Sequence, residues 1–261
     1  VTEKTENFTE NPRATTAEVY ELILEDLNWA IDNLDGYHRS SKSRIDKQTA
    51  HGLRARAHLY MGNWEQAAED ASLAAQGYSP ATIDQVSTPS FYRIDETNWI
   101  WGYDMTSEIA MTNPYATASS WIRSFSGDGY AAGTQVYSCI NKLLYDKIPE
   151  SDVRKGWWVD KNLDSPLLER ISWNGVSGKD ISTLEIENVK QAFLPYTNVK
   201  FGMNSIGSTS NDEDWPLMRV EEMILIQAEG LVRSGRTEAG RVILEDFVRT
   251  YRDPLYSSYT A

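Results

Sequence analysis

Two stretches far apart in this chain repeat one arrangement of small residues, a turn glycine and a closing proline. Ala55, Gly62, Ala67 and Pro80 in the first correspond to Ala228, Gly235, Gly240 and Pro254 in the second, the prolines alone being out of step by one residue. This is the pattern of tetratricopeptide units, in which small residues let two helices approach closely, glycine makes the turn and proline ends the unit. Such pairs bury their apolar faces only against neighbours. Two of them separated by a long segment of different character imply a helical scaffold interrupted by an insertion.

Periodicity fills in the scaffold. Thr15 with Glu18 is a capping box, and Val19, Leu22, Ile23, Leu27, Ala30, Ile31 and Leu34 keep helical spacing up to Gly36. Ala50, Leu53, Ala57, Tyr60 and Met61 form the apolar stripe of a second helix, stopped by Gly62, and Asn63 with Gln66 caps a third that ends at Gly77. Near the other end, a helix from about Met218 carries Val220, Ile224, Ala228 and Leu231 to Gly235, and Thr237 opens the next, with Val242, Ile243 and Phe247 on its apolar face. The polar loop between the first two helices holds the basic cluster Arg39 to Lys47, which reads as a solvated turn.

The interval from 81 to 217 is rich in Gly, Ser, Asn, Trp and Tyr, and only Gln135 to Lys147 reads as a helix there. Trp99, Trp101 and Tyr103 alternate with Ile100 and Gly102, and Val199, Phe201 and Met203 alternate similarly, so each is a candidate short strand. The expected architecture is mostly α: one domain over 1–261, with tetratricopeptide-like helix pairs over about 15–78 and 216–252. A long irregular, loop-rich insertion with a few short strands occupies about 79–215. Long structured loops on a rigid scaffold are where binding tends to reside.

Composition and motifs exclude most chemistry. A net charge of −13 argues against nucleic acid and other anionic partners and leaves neutral ligands such as sugars or peptides. The single cysteine, Cys139, excludes an internal disulfide, and its setting among Val136, Ile140, Leu143 and Leu144 reads as a buried structural thiol. No signal peptide or membrane-spanning run is present. His51 and His58 lie two turns apart on one helix and His38 stands alone in a loop, so no metal site is expected. Gly127, Gly129 and Gly133 miss the dinucleotide spacing, and no nucleophile motif occurs, so neither a cofactor nor a catalytic residue is expected. Asn211, Asp212, Glu213 and Asp214 read as a solvated loop, lacking calcium-loop spacing. Arg219 and Glu222, one turn apart, read as a structural ion pair, with Glu229 facing another helix.

The aromatic content is the anomaly. Nine Trp and fourteen Tyr are present, concentrated in the insertion, and such rings offer an apolar plane to sugar C–H groups and a polar tip to hydroxyls. Trp99, Trp101 and the pair Trp157 and Trp158 sit in apolar or strand-like contexts and are core candidates. Trp121, Tyr115 and Tyr130 lie among Ser, Thr, Gly and Asn in "NPYATASSWIRSFSGDGYAAG" and are the candidate ligand-binding residues.

Four segments together resemble the SusD/RagB family of outer-membrane nutrient-binding lipoproteins: "PRATTAEVYELILEDLNWAIDNL" at 12–34, "KQTAHGLRARAHLYMGNWEQAAEDA" at 47–71, "WPLMRVEEMILIQAEGLVRSGRTEAG" at 215–240 and "LEDFVRTYRDPLY" at 244–256. The third, with Arg219, Glu222, Ala228 and Glu229, is the most specific. The resemblance implies a lipid-anchored protein on the extracellular side of the outer membrane, which binds oligosaccharide without cleaving it and caps a SusC-like TonB-dependent transporter. Compared with a complete member, this sequence lacks the lipid-bearing cysteine and stops soon after the second repeat, so it is expected to be a soluble piece. The alternative expectation is a helical repeat scaffold whose main role is docking a protein partner.

Overall fold

The structure, a computed structural model, describes residues 13–106, 139–170, 172–173, 176–177, 194–202 and 213–257. Its frame is helical, as the periodicity predicts. Helix α1 (Thr16–Asn33) opens on the expected capping box: Glu18 N donates to Thr15 Oγ1 at 3.2 Å, and Thr15 N donates back to the Glu18 carboxylate at 2.7 Å. Helix α2 (Lys47–Met61) is capped by Asp46, whose carboxylate accepts from Thr49 N at 2.9 Å, and it ends where Gly62 turns left-handed at φ 79°. Helix α3 (Trp64–Ala74) follows at once. Asn63 makes no side-chain cap to it, contrary to expectation, because its amide is turned to His58 instead.

The second pair is α6 (Val220–Arg233) and α7 (Thr237–Tyr251), joined through Gly235 at φ 88°. Between the pairs lie the short helices α4 (Ile83–Val86) and α5 (Lys142–Tyr145), the strand β1 (Trp99–Tyr103), the two-residue strands β2 (Ser172–Trp173) and β3 (Val176–Ser177), and β4 (Trp215–Arg219). β1 and β4 form an antiparallel pair with Trp99 opposite Arg219, and β2 pairs with β3. β4 replaces the start of the helix expected from Met218. Pro216 cannot donate within a helix, and Trp215 to Arg219 instead run along β1. Of the expected strand at Val199–Met203, Phe201 makes a single bridge to Ser90, the preceding Asn198 makes one to Trp158, and Met203 lies outside the described residues. The expected helix Gln135–Lys147 is realised within the described residues as α5 alone.

The two repeats meet in space. α3 packs directly on α6, so the four scaffold helices form one layer in the order α2, α3, α6, α7. The contact is possible because the facing residues are small: a Cβ on Gly230 would stand 2.5 Å from Trp64 O and 3.0 Å from Ala68 Cβ. Ala55, Ala67, Ala71 and Ala74 join Ile100, Met218, Val220, Met223 and Ile226 in one sealed core, so β1 and β4 form part of the scaffold's own interior. Two smaller cores, Val159, Leu167, Leu168 and Val199, and Ala81, Val86 and Phe91, hold the loop region; Trp157 packs against both.

Several polar readings are corrected. Arg39 is no solvated turn residue: it pairs with Asp46 at 2.9 Å and donates to Ile100 O at 2.6 Å, pinning the α1–α2 loop to β1. Glu213 is fully buried and Asp214 accepts from Ile94 N and Met105 N, each at 2.8 Å, so this acidic stretch is structural where described. Cys139 is exposed, because α5 begins only after it and Leu143 and Leu144 also face outward. Tyr60, assigned to the apolar stripe of α2, is 79% exposed, since Ala55 rather than Tyr60 joins the core with α3, β1 and α6. Glu222 pairs with Arg56 of α2 through two bonds of 2.7 and 2.6 Å rather than with Arg219, and Glu229 pairs with Arg233 of its own helix at 2.7 Å.

Candidate functional site

The loop region holds an open cleft of about 320 Å3. Its wall is built from Tyr145, Trp158, Glu150, Lys155, Asp164 and Arg170, with Gly156, Pro166 and Leu167 at its floor. Local sequence explains the shape. Asp152 caps a 3₁₀ turn over Val153–Trp157 by accepting from Arg154 N at 2.9 Å, and the same carboxylate grips the Arg154 guanidinium at 2.6 Å. At Gly156 a Cβ would lie 3.0 Å from both Leu167 and Pro166, so the floor closes only over glycine. Ser165 Oγ donates to Gly156 O, tying the two sides together.

Trp158 is fixed from behind. Val159 N donates to Thr197 O at 3.0 Å, Tyr196 N to Val159 O at 3.1 Å, and Val199 N to Trp157 O at 2.8 Å, a short ladder that leaves the half-buried indole of Trp158 on the cleft wall. The Tyr145 ring leans on Tyr196 at 5.2 Å between centroids. Tyr196 adopts the left-handed region at φ 70° and the nearby Leu163 does so at φ 68°, conformations that cost non-glycine residues on the order of 1–3 kcal/mol and gather at binding sites. Burial, with the charges of Asp160 and Glu150, pushes the Tyr145 hydroxyl above its ordinary pKa, so it stays a neutral donor. Lys155 stands 5.1 Å over the Tyr145 ring and pairs with Glu150; Arg170 pairs with Asp84 at 2.7 Å.

This cleft has half-buried aromatic rings, a phenol donor, carboxylates and a guanidinium converging on a space too small for a protein segment and suited to a small polyhydroxy compound. Among the described residues no group of three or more His, Cys, Asp or Glu is arranged to hold a metal ion, and no helix is long and apolar enough to cross a membrane.

Tyr115, Trp121 and Tyr130 lie outside the described residues, so the structure does not bring them to the cleft or away from it. Of the four core candidates, Trp99 is fully buried, while Trp101 and Trp157 pack against cores from half-buried positions. Trp158 is the exception: with Tyr145 it lines the cleft and is a candidate site residue that sequence reasoning missed. The two adjacent rings stand 6.2 Å apart between centroids, Trp157 against the cores and Trp158 on the cleft wall, and no local pattern in the sequence separates their roles.

A scan against models of protein families found no match, and a search among curated proteins found none either. Solved structures do match. A SusD-like carbohydrate binding protein from Bacteroides vulgatus aligns with 97% of this chain and 46% of its own, at 22% identity and a TM-score of 0.71. A SusD superfamily protein from Bacteroides thetaiotaomicron aligns with 92% and 48%, at 16% identity and a TM-score of 0.60. A laminarin binding SusD-like protein aligns with 92% and 56%, at 21% identity and a TM-score of 0.55. The chain thus spans about half the length of the solved structures it matches. With its two tetratricopeptide-like pairs packed α3 on α6 and its loop-rich insertion, the protein has the SusD-like fold.

Proposed function

We propose that the protein binds glycan without cleaving it, at the cell surface, with Trp158 and Tyr145 supplying the sugar-stacking planes. The observation that carries this reading is the cleft at Trp158, an aromatic and polar pocket set in the insertion of a fold shared with proteins described as carbohydrate binding and laminarin binding. In the full-length protein the same reading extends to a lipid anchor on the extracellular side of the outer membrane and to delivery of the bound glycan to a SusC-like TonB-dependent transporter. In addition to Trp158 and Tyr145, Trp121, Tyr115 and Tyr130 remain proposed ligand contacts. The chain is proposed as one domain, with the scaffold at about 15–78 and 216–252.

The test is affinity electrophoresis through gels containing a panel of neutral polysaccharides, with a reducing-sugar assay on the same mixtures. Retardation by one glycan class without new reducing ends supports the proposal; new reducing ends would replace binding with hydrolysis. A second reading, docking of a protein partner on the helical scaffold, is favoured by α1, where Val19, Leu22 and Trp29 are exposed, Trp29 at 68%. No retardation by any polysaccharide, with capture of a purified transporter partner, would decide for that reading.

A further inference from the structure

A second cavity, of about 250 Å3, opens beside β4 between Phe91, Lys200, Phe201, Pro216, Arg219 and Glu222. No residue lines both it and the Trp158 cleft. Two cations converge here on one aromatic cluster. The Lys200 ammonium lies 4.7 Å from the Phe201 centroid, 5.2 Å from Trp157 and 5.7 Å from Phe91, and the Arg219 guanidinium lies 4.6 Å from the Phe91 centroid.

Among the described residues neither cation has a carboxylate of its own. Among the described residues neither side chain makes a hydrogen bond, and no carboxylate lies within ion-pair reach of Lys200. The one near Arg219 is Glu221 at 4.0 Å, and that carboxylate is already held by Arg252 at 3.1 Å and Asn98 at 2.9 Å. Glu222, the acidic group on the cavity wall, is matched by the bidentate contact from Arg56. Ring faces return only part of what a buried ammonium loses on leaving water. Burial, reinforced by the charge of Arg219, pulls Lys200 down to about 8. Phe91, which both cations flank, is held at φ 65°, a strained conformation for a bulky residue and one that binding sites retain.

We propose that this cavity binds a small carboxylate, free or carried on a sugar ring, through Lys200 and Arg219. The planar guanidinium fork matches a carboxylate, and the ammonium supplies a second point charge. Phe201, Pro216 and Leu217 offer an apolar wall to the rest of the ligand. The volume is below the ~300–1,000 Å3 of pockets that take drug-sized ligands, which restricts the ligand to about one sugar ring or a short acid. On a chain of net charge −13, such a pocket is a local exception to a surface that repels anions.

Calorimetric titration of the 261-residue chain with glucuronate, acetate and glucose, at pH 7 and constant ionic strength, tests this. Glucuronate saturates a single site and glucose does not; acetate binding as well assigns the site to the carboxylate itself, and glucuronate alone assigns it to a sugar acid. Lys200→Met and Arg219→Gln each weaken binding at least about tenfold, the loss expected when a charge-assisted contact is removed. Melting followed by circular dichroism establishes that each variant is folded; Lys200→Met, which keeps the length of the apolar stem, carries the test if Arg219→Gln is not. Saturation by neither acid, equal binding of glucose, or unchanged affinity in folded Lys200→Met overturns the proposal. Because the two cavities share no lining residue, loss of polysaccharide binding and loss of carboxylate binding are separate results.

Discussion

Arg252 Nη2 donates to Glu221 Oε1 at 3.1 Å with both side chains almost sealed from water. The same carboxylate oxygen accepts from Ala81 N at 3.0 Å and Asn98 Nδ2 at 2.9 Å, and Arg252 Nη1 donates to Ala81 O at 2.9 Å. One buried pair therefore ties the end of α7 to the start of α6, to the segment entering α4 and to the approach to β1, locking the second repeat onto the insertion. Removing one partner leaves the other charge buried and uncompensated. Glu221→Ala is expected to lose about 3–5 kcal/mol of unfolding free energy, measured by urea titration. A loss under about 1 kcal/mol, the range of exposed pairs, would show that water reaches Arg252.

Close approach of α3 and α6 makes a second prediction. Alanine has the better helix propensity, by about 1 kcal/mol, yet at Gly230 its Cβ would meet the backbone oxygen of Trp64 at 2.5 Å, which cannot move without displacing α3. Gly230→Ala is expected to lose about 1–3 kcal/mol net. At Gly52 the obstacles are the side-chain atoms of Met218 and Met223, which can swing aside, so Gly52→Ala is expected to cost less. Thermal melting of the two variants side by side gives the ranking; the reverse order would mean that α3 and α6 slide freely.

What was legible in the sequence follows from how each feature is specified. Capping box, turn glycines and apolar spacing are local, so α1, α2, α3, α6 and α7 could be read directly, as could β1 from its alternation. β4 could not, since its strand state comes from pairing with β1 across more than a hundred residues of chain, and the helical spacing after it runs on without a break. Arg39 and Asp214 were misread for one reason: charge in a loop suggests solvent, but here each side chain terminates backbone donors or acceptors of a distant segment; Glu213 is likewise sealed from water. In the cleft, Trp158 was hidden because context shows that a ring is half-buried but not which side of the chain the ring faces.

Acid should weaken the scaffold in two steps. Burial lowers the His58 imidazole below 6.5, with the charge of Arg54 adding to this and that of Asp70 opposing it. Burial alone would raise Asp70, but hydrogen bonds from His51 at 2.9 Å and Arg54 at 2.7 Å outweigh it and hold the carboxyl below 3.8. As pH falls through 6.5 the unfolded chain takes up the His58 proton before the folded one does, so stability declines. Below 3.8 the Asp70 contribution is lost in turn. Stability curves from pH 7 to 3 should show both declines; His58→Gln should remove the first, and Asp70→Asn the second while lowering stability at neutral pH.

Lys200 gives the opposite edge of the pH range. Its folded value near 8 lies below the 10.5 of the unfolded chain, so between those limits the unfolded state binds more protons and stability rises with pH. At 1.36 kcal/mol per pH unit, the fall from 10.5 to about 8 sets a ceiling of roughly 3 kcal/mol on the gain. Tyr145 and Tyr78 are held above 10.0 by burial, and their ionisation removes stability only beyond that point. The informative quantity is the stability difference between wild type and Lys200→Met from pH 7 to 9.5, which should narrow as pH rises. Saturating glucuronate should reverse the trend, because a bound anion keeps Lys200 protonated.

Trp157 and Trp158 provide the discriminating pair for the cleft. Trp157 Nε1 donates to Val86 O at 2.9 Å and its ring packs against both loop-region cores, so Trp157→Ala is expected to lower stability by about 3–5 kcal/mol. Trp158 lies in a segment held by the backbone bonds of its neighbours Trp157 and Val159 to Val199, Tyr196 and Thr197, while its own indole lines the cleft, so Trp158→Ala should leave the melting temperature nearly unchanged. If the cleft is the glycan site, the same variant weakens retardation in the polysaccharide gel by about tenfold, the effect of losing an aromatic anchor. Retardation equal to wild type in a folded Trp158→Ala would move the site to Tyr115, Trp121 and Tyr130, whose alanine variants are then the ones that abolish it.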